Sequence, residues 1–513
     1  MKNVLYFHLW HYQLCGGERI KMNVYSINKG IGYASSGVEY AQKYRKELFD
    51  TLDFNDHYIF LDYLSKNISV YTDLMGYERK QIVWIYNFLS DRPTQGTTFT
   101  VEEFLEELEG KNYQVVNQTP TSLEIKVTEA QLYKVWLLQD ELIDRVDYIV
   151  NGHLVNVSHY DQSLNNIEHY SNGQLVKRTF FNLQGEKSYE QFYTDREITA
   201  TFIDNQILYG KMGFYQYFFK QLQLQKEDVL IIDRPLDVIE GILSQLVNQV
   251  RLFSVVHAEH YNESLSKGDH ILWNNNYEYI FEHADAFEGI IVATERQNEL
   301  LSQQLKKKTQ IKTIPVGYIN EISRKRTYNP FSLITASRLA TEKHLDILIK
   351  AVVLAKDTVP NLSLDIYGEG GERGKLETLI QKYDAVEFIK LCGHKELSQI
   401  YPNYSGYVSA STSEGFGLSL LEALGAGLPL IGLDVDYGNR EFIESGQNGI
   451  RFERTSLKEM PDNLAKAICK FYEQNLDQSG RTVSKQKAKT YLKANVAKRW
   501  QNLLERGKEL DEN

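Results

Sequence analysis

The stretch from Gly406 to Gly427 constrains the fold of this chain more than any other. Its pattern predicts a buried strand over residues 407–411, a turn punctuated by glycines over residues 413–417, and a helix with an apolar face over residues 418–426. In such a unit, unpaired backbone amides and the positive end of the helix dipole point toward a ligand. The stretch therefore predicts an α/β fold with an anion- or polyol-binding turn at the end of a strand.

Two carboxylates belong to this unit. Glu414 lies in the predicted turn, and Glu422 follows in the predicted helix. At about 100° per residue, their directions would differ by roughly 80° if both positions were helical. We therefore expect the two side chains to contact different parts of one ligand. The alternative is the solvated start of an ordinary helix.

Composition restricts the class of protein. A chain of 513 residues suggests two or three domains, and a net charge of −11 argues against a nucleic-acid-binding protein, which usually has a basic face. The three cysteines, Cys15, Cys392 and Cys469, have no metal-site spacing, which fits a reducing cytoplasm. There is no run of 18 apolar residues, so no membrane-spanning helix is expected.

The N-terminal segment, residues 1–21, has a character of its own. Gly16, Gly17 and Glu18 precede Met22 at a distance at which their codons can spell a ribosome-binding sequence. We therefore expect Met22 to be the natural start. The alternative is a metal site made by His8, His11 and Cys15.

A Rossmann-like half is predicted to begin at Asn23. A strand to Asn28 leads into the glycine-rich loop of residues 29–37 and then into a helix that ends near Phe49, with Ser35 or Ser36 as its cap. The loop lacks the spacing typical of dinucleotide binding, so NAD is not expected. An ordinary tight loop is the alternative.

The pattern changes after Pro93 to a succession of strands, predicted over residues 121–127, 131–139 and 147–150. Asn-Gly occurs between apolar runs at Asn151 and again at Asn172, which is the strongest short hairpin signal. We therefore predict an antiparallel β-meander inserted into the first half. Its many aromatic residues must be covered, either by its own domain or by a partner.

The α/β pattern then returns. His257 follows an apolar run, at the carboxyl end of a predicted strand, where open α/β sheets place ligands; a satisfied core histidine is the alternative. The run that ends at Ser337 starts a second Rossmann-like half. Arg338 and Lys343 follow it, and a helix is predicted to open at Ala340. Lys306–Lys308 indicate a solvated helix end or, alternatively, weak attraction to an anionic membrane surface.

These patterns divide the chain into six parts. They are an extra N-terminal segment (1–21), a first Rossmann-like part (22–92), the inserted β-meander (93–210), a second part of the same Rossmann-like domain (211–320), a C-terminal Rossmann-like domain (321–490), and a C-terminal helix (491–513).

The spacing Glu-x7-Glu with an internal Gly-Phe-Gly, downstream of Arg-x4-Lys, resembles the donor site of retaining family-4-like glycosyltransferases of the GT-B fold. The resemblance implies two Rossmann-like domains facing a cleft and a site that uses no metal. Glu414 would meet the donor sugar and Glu422 the ribose. Arg338 and Lys343 would hold the diphosphate, and His257 would lie beside the sugar.

A closer resemblance extends from about Met22 to the end. Residues 30–42, the β-insert and residues 414–417 are together similar to the catalytic subunits of O-GlcNAc transferases that glycosylate serine-rich-repeat adhesins of the accessory Sec system of Gram-positive bacteria. It implies a homologous, inactive partner subunit. The implied donor contacts are Gly37, Val38, Glu39, Tyr40, His257, His394, Lys395, Glu414, Gly415, Phe416 and Gly417.

The resemblance also implies the reaction: retaining transfer of GlcNAc from UDP-GlcNAc to Ser or Thr hydroxyls of a Ser-rich acceptor, as the first step of its O-glycosylation in the cytoplasm or at the inner surface of the membrane. Four alternatives remain open. They are a wall teichoic acid GlcNAc transferase, a UDP-glucose-dependent protein O-glucosyltransferase, a non-catalytic partner subunit, and a glycoside hydrolase, for which two carboxylates must flank one bond.

Overall fold

The computed structural model describes residues 22–32, 37–139, 141–233, 238–268 and 270–505. The expectations for residues 1–21 and for a cap at Ser35 or Ser36 lie outside these ranges. Within them, every helix is too short or too polar to span a bilayer.

The strands fall into groups along the chain. The first group is β1 (Met22–Asn28), β2 (Phe54–Phe60) and β3 (Ile82–Trp84). The second is β4 (Gln114–Thr119), β5 (Ser122–Thr128), β6 (Gln131–Gln139), β7 (Leu142–Val150), β8 (His153–Tyr160), β9 (Leu164–Ser171), β10 (Gln174–Phe181), β11 (Lys187–Thr194), β12 (Glu197–Ile203) and β13 (Gln206–Tyr209). The third is β14 (Val229–Ile232), β15 (Arg251–Val256), β16 (Gly289–Val292) and β17 (Gln310–Thr313). The last is β18 (Ser332–Ala336), β19 (Ser363–Tyr367), β20 (Ile389–Gly393), β21 (Gly406–Val408), β22 (Leu430–Leu433) and β23 (Gly449–Phe452).

Helices connect these strands. The α-helices are Gly37–Phe49, Ser69–Leu74, Ile85–Leu89, Val101–Glu106, Gly210–Gln221, Ile239–Leu246, Glu278–Glu282, Glu295–Gln304, Leu345–Ala355, Arg373–Lys382, Leu418–Gly425, Gly438–Phe442, Met460–Glu473, Leu476–Ala488 and Lys493–Leu504. The 3₁₀ turns are Arg79–Gln81, Ala284–Ala286, Thr341–Lys343, Tyr401–Asn403 and Lys489–Tyr491.

The chain forms two compact units. Of the described residues, the first contains those up to Lys43 together with Asp53–Ser254 and Glu282–Glu288, and the second contains Tyr44–Leu52, Val255–Phe281 and those from Gly289 onward. In the first unit, parallel pairing gives the order β15-β14-β1-β2-β3, with Val24 opposite Val229 and Met22 opposite Phe54. The chain therefore reverses its direction of travel between β1 and β14, as in a doubly wound sheet.

The ten strands β4 to β13 form one antiparallel sheet in which each strand pairs with the next. Both Asn-Gly turns are where the sequence predicts them, and Asn151 and Gly152 both have positive φ (49° and 77°), as a tight hairpin turn requires. The predicted strand over residues 131–139 matches β6, whereas the strand predicted over 147–150 begins earlier, at Leu142. The inserted antiparallel sheet is confirmed; the boundaries 93 and 210 stay predictions.

A buried ion pair fixes this sheet to the chain that precedes it. The guanidinium of Arg92 pairs with Asp161, which follows β8, and both side chains are almost inaccessible (0% and 5%). The same guanidinium donates to the carbonyl oxygens of Leu164, Phe181 and Asn182 at 3.2, 3.3 and 2.9 Å. The charge of Arg92 is therefore compensated by a carboxylate and three carbonyl oxygens. These contacts join the preceding chain to residues at the ends of β8, β9 and β10.

The second unit is built on a six-stranded parallel sheet with the order β20-β19-β18-β21-β22-β23. Leu348 and Val352 of the helix Leu345–Ala355 belong to the same buried apolar cluster as Leu464 and Ile468 of the helix Met460–Glu473. In the C-terminal helix, Trp500 contacts Phe49 edge to face at 5.4 Å. That helix thus packs on the end of the helix Gly37–Phe49.

Replacing Arg92 tests the buried ion pair. Arg92→Ala leaves the carboxylate of Asp161 buried without a cation, so we expect the free energy of unfolding to fall by about 3–5 kcal/mol. Urea unfolding followed by tryptophan fluorescence measures the loss. Lys126→Ala, which removes the partner of the exposed Glu129, is the matched control and should cost less than about 1 kcal/mol. Equal losses in both variants would contradict the role of the pair.

Candidate functional site

The strand order of the second unit defines one place for a ligand. The chain runs from β18 outward to β19 and β20, then returns to β21 on the other side of β18. In open α/β sheets, ligands bind beyond the carboxyl ends of the strands at such a reversal. The loops after β18 and β21 carry Arg338, Lys343 and Glu414, so the predicted residues lie on the two loops that flank this point.

Close backbone packing holds the loop after β18. A Cβ added to Gly368, which has φ +127°, would lie 1.9 Å from the carbonyl oxygen of Ser337. A Cβ on Gly370 would lie 2.4 Å from the carbonyl oxygen of Leu339, whose amide donates to Glu369 at 2.9 Å. Only glycine fits at these two positions, and the turn after β19 therefore supports the loop that carries Arg338.

Lys343 and Glu414 form an ion pair across the reversal point. Lys343 Nζ lies 2.8 Å from Glu414 Oε1, and the side chains are 19% and 15% exposed. The helix predicted to open at Ala340 begins instead at Leu345. Lys343 ends a 3₁₀ turn, and His344 adopts a left-handed conformation (φ 47°) that separates the turn from the helix. This interruption is the reason for the wrong prediction, and Lys343 belongs to the turn.

Arg338 lies on the same loop with a different environment. Its side chain is 77% exposed and pairs with Glu342 at 3.1 Å. The structure therefore brings Lys343 directly to Glu414 and leaves the guanidinium of Arg338 toward solvent, paired with an exposed carboxylate that an anionic ligand can replace.

The glycine turn, residues 414–417, is enclosed between two backbone segments. On one side, a Cβ on Gly415 would lie 2.8 Å from the carbonyl oxygen of His257. On the other, a Cβ on Gly438 would lie 2.1 Å from the carbonyl oxygen of Phe416, and the Gly438 amide donates to Glu414 O at 3.1 Å. Gly417 (φ 85°) then begins the helix Leu418–Gly425. The strand predicted over 407–411 ends earlier, at Val408, so the connection to the turn is longer than expected.

Two tyrosines that the sequence did not single out support these flanking segments. The hydroxyl oxygen of Tyr277 accepts hydrogen bonds from the amides of His257 and Ala258 at 3.0 and 3.2 Å. The hydroxyl of Tyr437 donates to Nδ1 of His260 at 3.0 Å. No local spacing links these residues, so no signal in the sequence could have found them.

His260 is the buried histidine of this region. Its Nε2 donates to the amide oxygen of Gln304 at 2.8 Å, which leaves Nδ1 as the acceptor for Tyr437. Burial lowers its pKa to about 4, so the ring is neutral at physiological pH. The sequence predicts His257 as the functional histidine. In the structure, the carbonyl oxygen of His257 packs against Gly415 in the glycine turn.

Glu422 lies in the helix Leu418–Gly425 and has a different hydrogen-bond partner from Glu414. Its carboxylate accepts a hydrogen bond from the Tyr401 hydroxyl at 3.2 Å. Desolvation by the protein packed around the carboxyl group raises its pKa to about 7, and the hydrogen bond from Tyr401 opposes that shift. Glu422 thus offers an acceptor whose charge changes near neutral pH.

Two of the remaining predicted contacts lie farther along the same sheet, and four lie in the other unit. His394 and Lys395 are exposed after β20, two strands from β18, which corresponds to roughly 10 Å at the usual strand spacing. Lys395 Nζ lies 5.9 Å from the ring centre of Tyr367. Gly37, Val38, Glu39 and Tyr40 form the first turn of a helix and belong to the other unit.

The chemistry that this arrangement offers is recognition of anions and polyols. A lysine ammonium and an exposed guanidinium can hold phosphates, and the two carboxylates can accept hydrogen bonds from hydroxyl groups. In the described part of the chain, no three His, Cys, Asp or Glu side chains are grouped so that they could hold a metal ion.

Two family models and a relative of known activity match this chain. The family model described as glycosyl transferases group 1 matches residues 320–490, and the GtfA extended beta-sheet domain matches residues 117–204. The UDP-N-acetylglucosamine–peptide N-acetylglucosaminyltransferase GtfA subunit of Streptococcus pneumoniae is 39% identical over 501 residues, which cover 94% of this chain and 99% of the relative.

Two crystal structures are similar over nearly their whole length. The pneumococcal O-GlcNAc transferase GtfA in complex with UDP and GlcNAc is 38% identical, with a TM-score of 0.85 over 95% of this chain and 99% of that one. A GtfA/B complex is 37% identical, with a TM-score of 0.90 over 94% and 99%. The fold and family expected from the sequence are confirmed: this chain belongs to the family of GtfA subunits of UDP-N-acetylglucosamine–peptide N-acetylglucosaminyltransferases, which are glycosyltransferases of the GT-B fold.

Proposed function

We propose that this chain transfers GlcNAc from UDP-GlcNAc to Ser or Thr hydroxyls of a Ser-rich protein, with retention of configuration at the sugar. The single observation that carries the proposal is the Lys343–Glu414 pair at the sheet reversal, directly beside a glycine turn. A cation for the diphosphate and a carboxylate for the sugar are then only 2.8 Å apart, so one residue pair can contact both sides of the bond that breaks.

Stabilisation of the leaving UDP is the first part of the mechanism. When the bond between the sugar and the β-phosphate breaks, negative charge develops on the phosphate oxygens. Lys343, Arg338 and the amides that follow Gly415 can stabilise this charge in a fixed geometry, which is the kind of interaction that contributes most to catalysis. Arg338 would exchange its exposed partner Glu342 for the diphosphate.

Acceptor activation is the second part. The departing β-phosphate takes the proton of the acceptor hydroxyl on the same face of the sugar, and the hydroxyl oxygen forms the new glycosidic bond. No protein base is required by this scheme. Glu414 orients the sugar by accepting hydrogen bonds from its hydroxyl groups, and Glu422 accepts from the ribose.

Further residues complete the set of donor contacts in this proposal. His257 contacts the sugar, His394 and Lys395 contact the nucleobase, and Gly37, Val38, Glu39 and Tyr40 are the other proposed donor contacts. UDP-GlcNAc is the donor, and no metal takes part. We place the reaction in the cytoplasm, with Lys306–Lys308 as the segment that could contact the membrane surface.

A homologous subunit is the proposed partner, and the ten-stranded sheet offers a face for it. Phe192 pairs with Ala200, which pairs with Tyr209. Phe202 and Ile207 form the next pair on the same face. Four of these side chains are exposed apolar residues: Phe192, Phe202, Ile207 and Tyr209. Such a contiguous apolar face is typical of a protein interface.

The alternatives from the sequence differ in donor or acceptor. A teichoic acid transferase would use a polyol phosphate acceptor, an O-glucosyltransferase would use UDP-glucose, and a non-catalytic subunit would turn over neither donor. The ion pair of Lys343 with Glu414 argues against a non-catalytic subunit. A hydrolase would need both carboxylates at one bond, whereas Glu414 pairs with Lys343 and Glu422 with Tyr401.

UDP release in the presence of a Ser-rich peptide tests the proposed function. We expect release with UDP-GlcNAc, and little with UDP-glucose, when the chain is assayed together with its homologous subunit. Lys343→Ala should lower kcat by about 100- to 1000-fold, because the leaving diphosphate loses a fixed cation.

Lys350→Ala, which removes a partly exposed partner of Asp346 on the helix Leu345–Ala355, is the matched control and should keep wild-type activity. Faster release with UDP-glucose, acceptor activity only on a polyol phosphate polymer, or unchanged kcat in Lys343→Ala would each contradict the proposal.

The pH dependence of donor binding tests the role of Glu422. UDP-GlcNAc keeps its charge between pH 6 and pH 8 because its diphosphate is esterified at both ends. As the pH rises through the Glu422 pKa of about 7, the carboxylate becomes an acceptor for the ribose, so affinity should increase up to about tenfold. Calorimetric titration at several pH values measures this slope.

Two variants serve as controls for this pH dependence. Glu422→Gln should abolish the slope and bind more weakly at pH 8. Tyr401→Phe removes the hydrogen bond that lowers the pKa, so its transition should move to higher pH. If Glu422→Gln keeps the wild-type slope, another group is responsible and the ribose assignment is wrong.

A further inference from the structure

We propose that Tyr277 and Tyr437 are positioning residues of the reaction: through their hydroxyl groups they fix the glycine turn, residues 414–417, from its two sides and thereby set the position of Glu414. The consequence for turnover rests on the proposed function, since it requires that Glu414 orients the donor sugar. The effect on the turn itself is a property of the fold alone.

Tyr277 acts on the first side. Its hydroxyl oxygen accepts from two consecutive amides, His257 and Ala258, at the end of β15. The carbonyl of Ala258 is held as well, because the buried amide group of Gln297 donates to it at 2.9 Å. The main chain at this strand end is therefore fixed through both its donors and an acceptor.

Contact with Gly415 transmits this position to the turn. The carbonyl oxygen of His257 lies so close to Gly415 that an added Cβ would be only 2.8 Å from it. There is no flexible side chain between the two backbones that could absorb a displacement. A shift at His257 must therefore move Gly415, which adjoins Glu414.

Tyr437 acts on the second side. Its main chain forms a parallel bridge with Glu414, and the following amide, Gly438, donates to the carbonyl oxygen of Glu414. Its hydroxyl donates to His260, which Gln304 holds in turn. The side chain of Tyr437 is buried, so its position is set by this contact.

Both hydroxyl groups thus act on the same short segment. Tyr277 binds its beginning at His257, and Tyr437 binds its end at His260. The glycine turn packs against His257 on one side and against Tyr437 and Gly438 on the other. Loss of either hydroxyl therefore removes a restraint on one of these two neighbours. Burial of an aromatic ring does not require a hydroxyl, so phenylalanine would satisfy a purely packing role.

Phenylalanine substitution distinguishes positioning from packing. In Tyr277→Phe the ring still fills its space, but two backbone amides, those of His257 and Ala258, lose their acceptor. We expect kcat for transfer to fall about 10- to 100-fold, as small displacements of reacting groups do, while UDP affinity changes less than about threefold. Tyr437→Phe should show the same split with a smaller loss.

Tyr472→Phe is the matched control. Tyr472 is buried in the helix Met460–Glu473, and its hydroxyl forms a 2.8 Å hydrogen bond with Ser405. We expect its kcat to stay within about twofold of wild type, in line with the loss of a hydrogen bond that orients no ligand. UDP-binding stoichiometry near one site per chain shows that each variant is folded.

Hydrogen–deuterium exchange of the full chain provides a readout that is independent of transfer. In Tyr277→Phe, peptides that cover residues 256–258 and 414–417 should exchange faster than in wild type and in Tyr472→Phe. Unchanged exchange at 414–417 in both tyrosine variants, or a loss of kcat matched by an equal loss of binding stoichiometry, would overturn the proposal. If wild type transfers no sugar, the proposed function fails, and the exchange data alone decide the role of the tyrosines.

Discussion

The ion pair between Lys343 and Glu414 is the interaction on which the rest of the site depends. It forms because β18 and β21 are neighbours in the sheet although a long stretch of chain, including β19 and β20, separates them. The reversal of strand order brings a cation and a carboxylate from two loops to one point. Neither loop could supply both groups in this arrangement, so the topology of the sheet determines the chemistry.

Around this pair, rigid and movable groups have different roles. The main chain of the glycine turn is confined by backbone contacts at Gly415 and Gly438 that leave no room for a Cβ. Arg338, by contrast, is exposed and pairs with a surface carboxylate. In the proposed reaction, such a site holds the sugar in a fixed orientation while one cation changes partners as the diphosphate binds and leaves.

Much of this organisation could be predicted from the sequence because it depends on local rules. Alternation and Asn-Gly turns predicted the hairpins of the insert, and the strand–turn–helix at Gly406–Gly427 predicted where Glu414 and Glu422 lie. The helix expected at Ala340 was wrong because the left-handed His344 interrupts it, which periodicity does not reveal.

The supporting tyrosines could not be predicted for a different reason. The hydrogen bond of Tyr437 with His260 joins residues that are distant in sequence, and nothing near either residue specifies the other. The pKa of Glu422 likewise depends on the protein that surrounds it after folding. Only three-dimensional contacts contain that information.

The pairing of β1 with β14 has a consequence for how the chain is made. Val24 pairs with Val229, so the insert is synthesised in full before β1 obtains this neighbour. The insert itself consists of hairpins between consecutive strands, whose contacts are local and close quickly. During translation, the ten-stranded sheet can therefore form first. The edge of β1 that later pairs with β14 stays unpaired until β14 emerges from the ribosome, and until then it is open to pairing with a wrong strand.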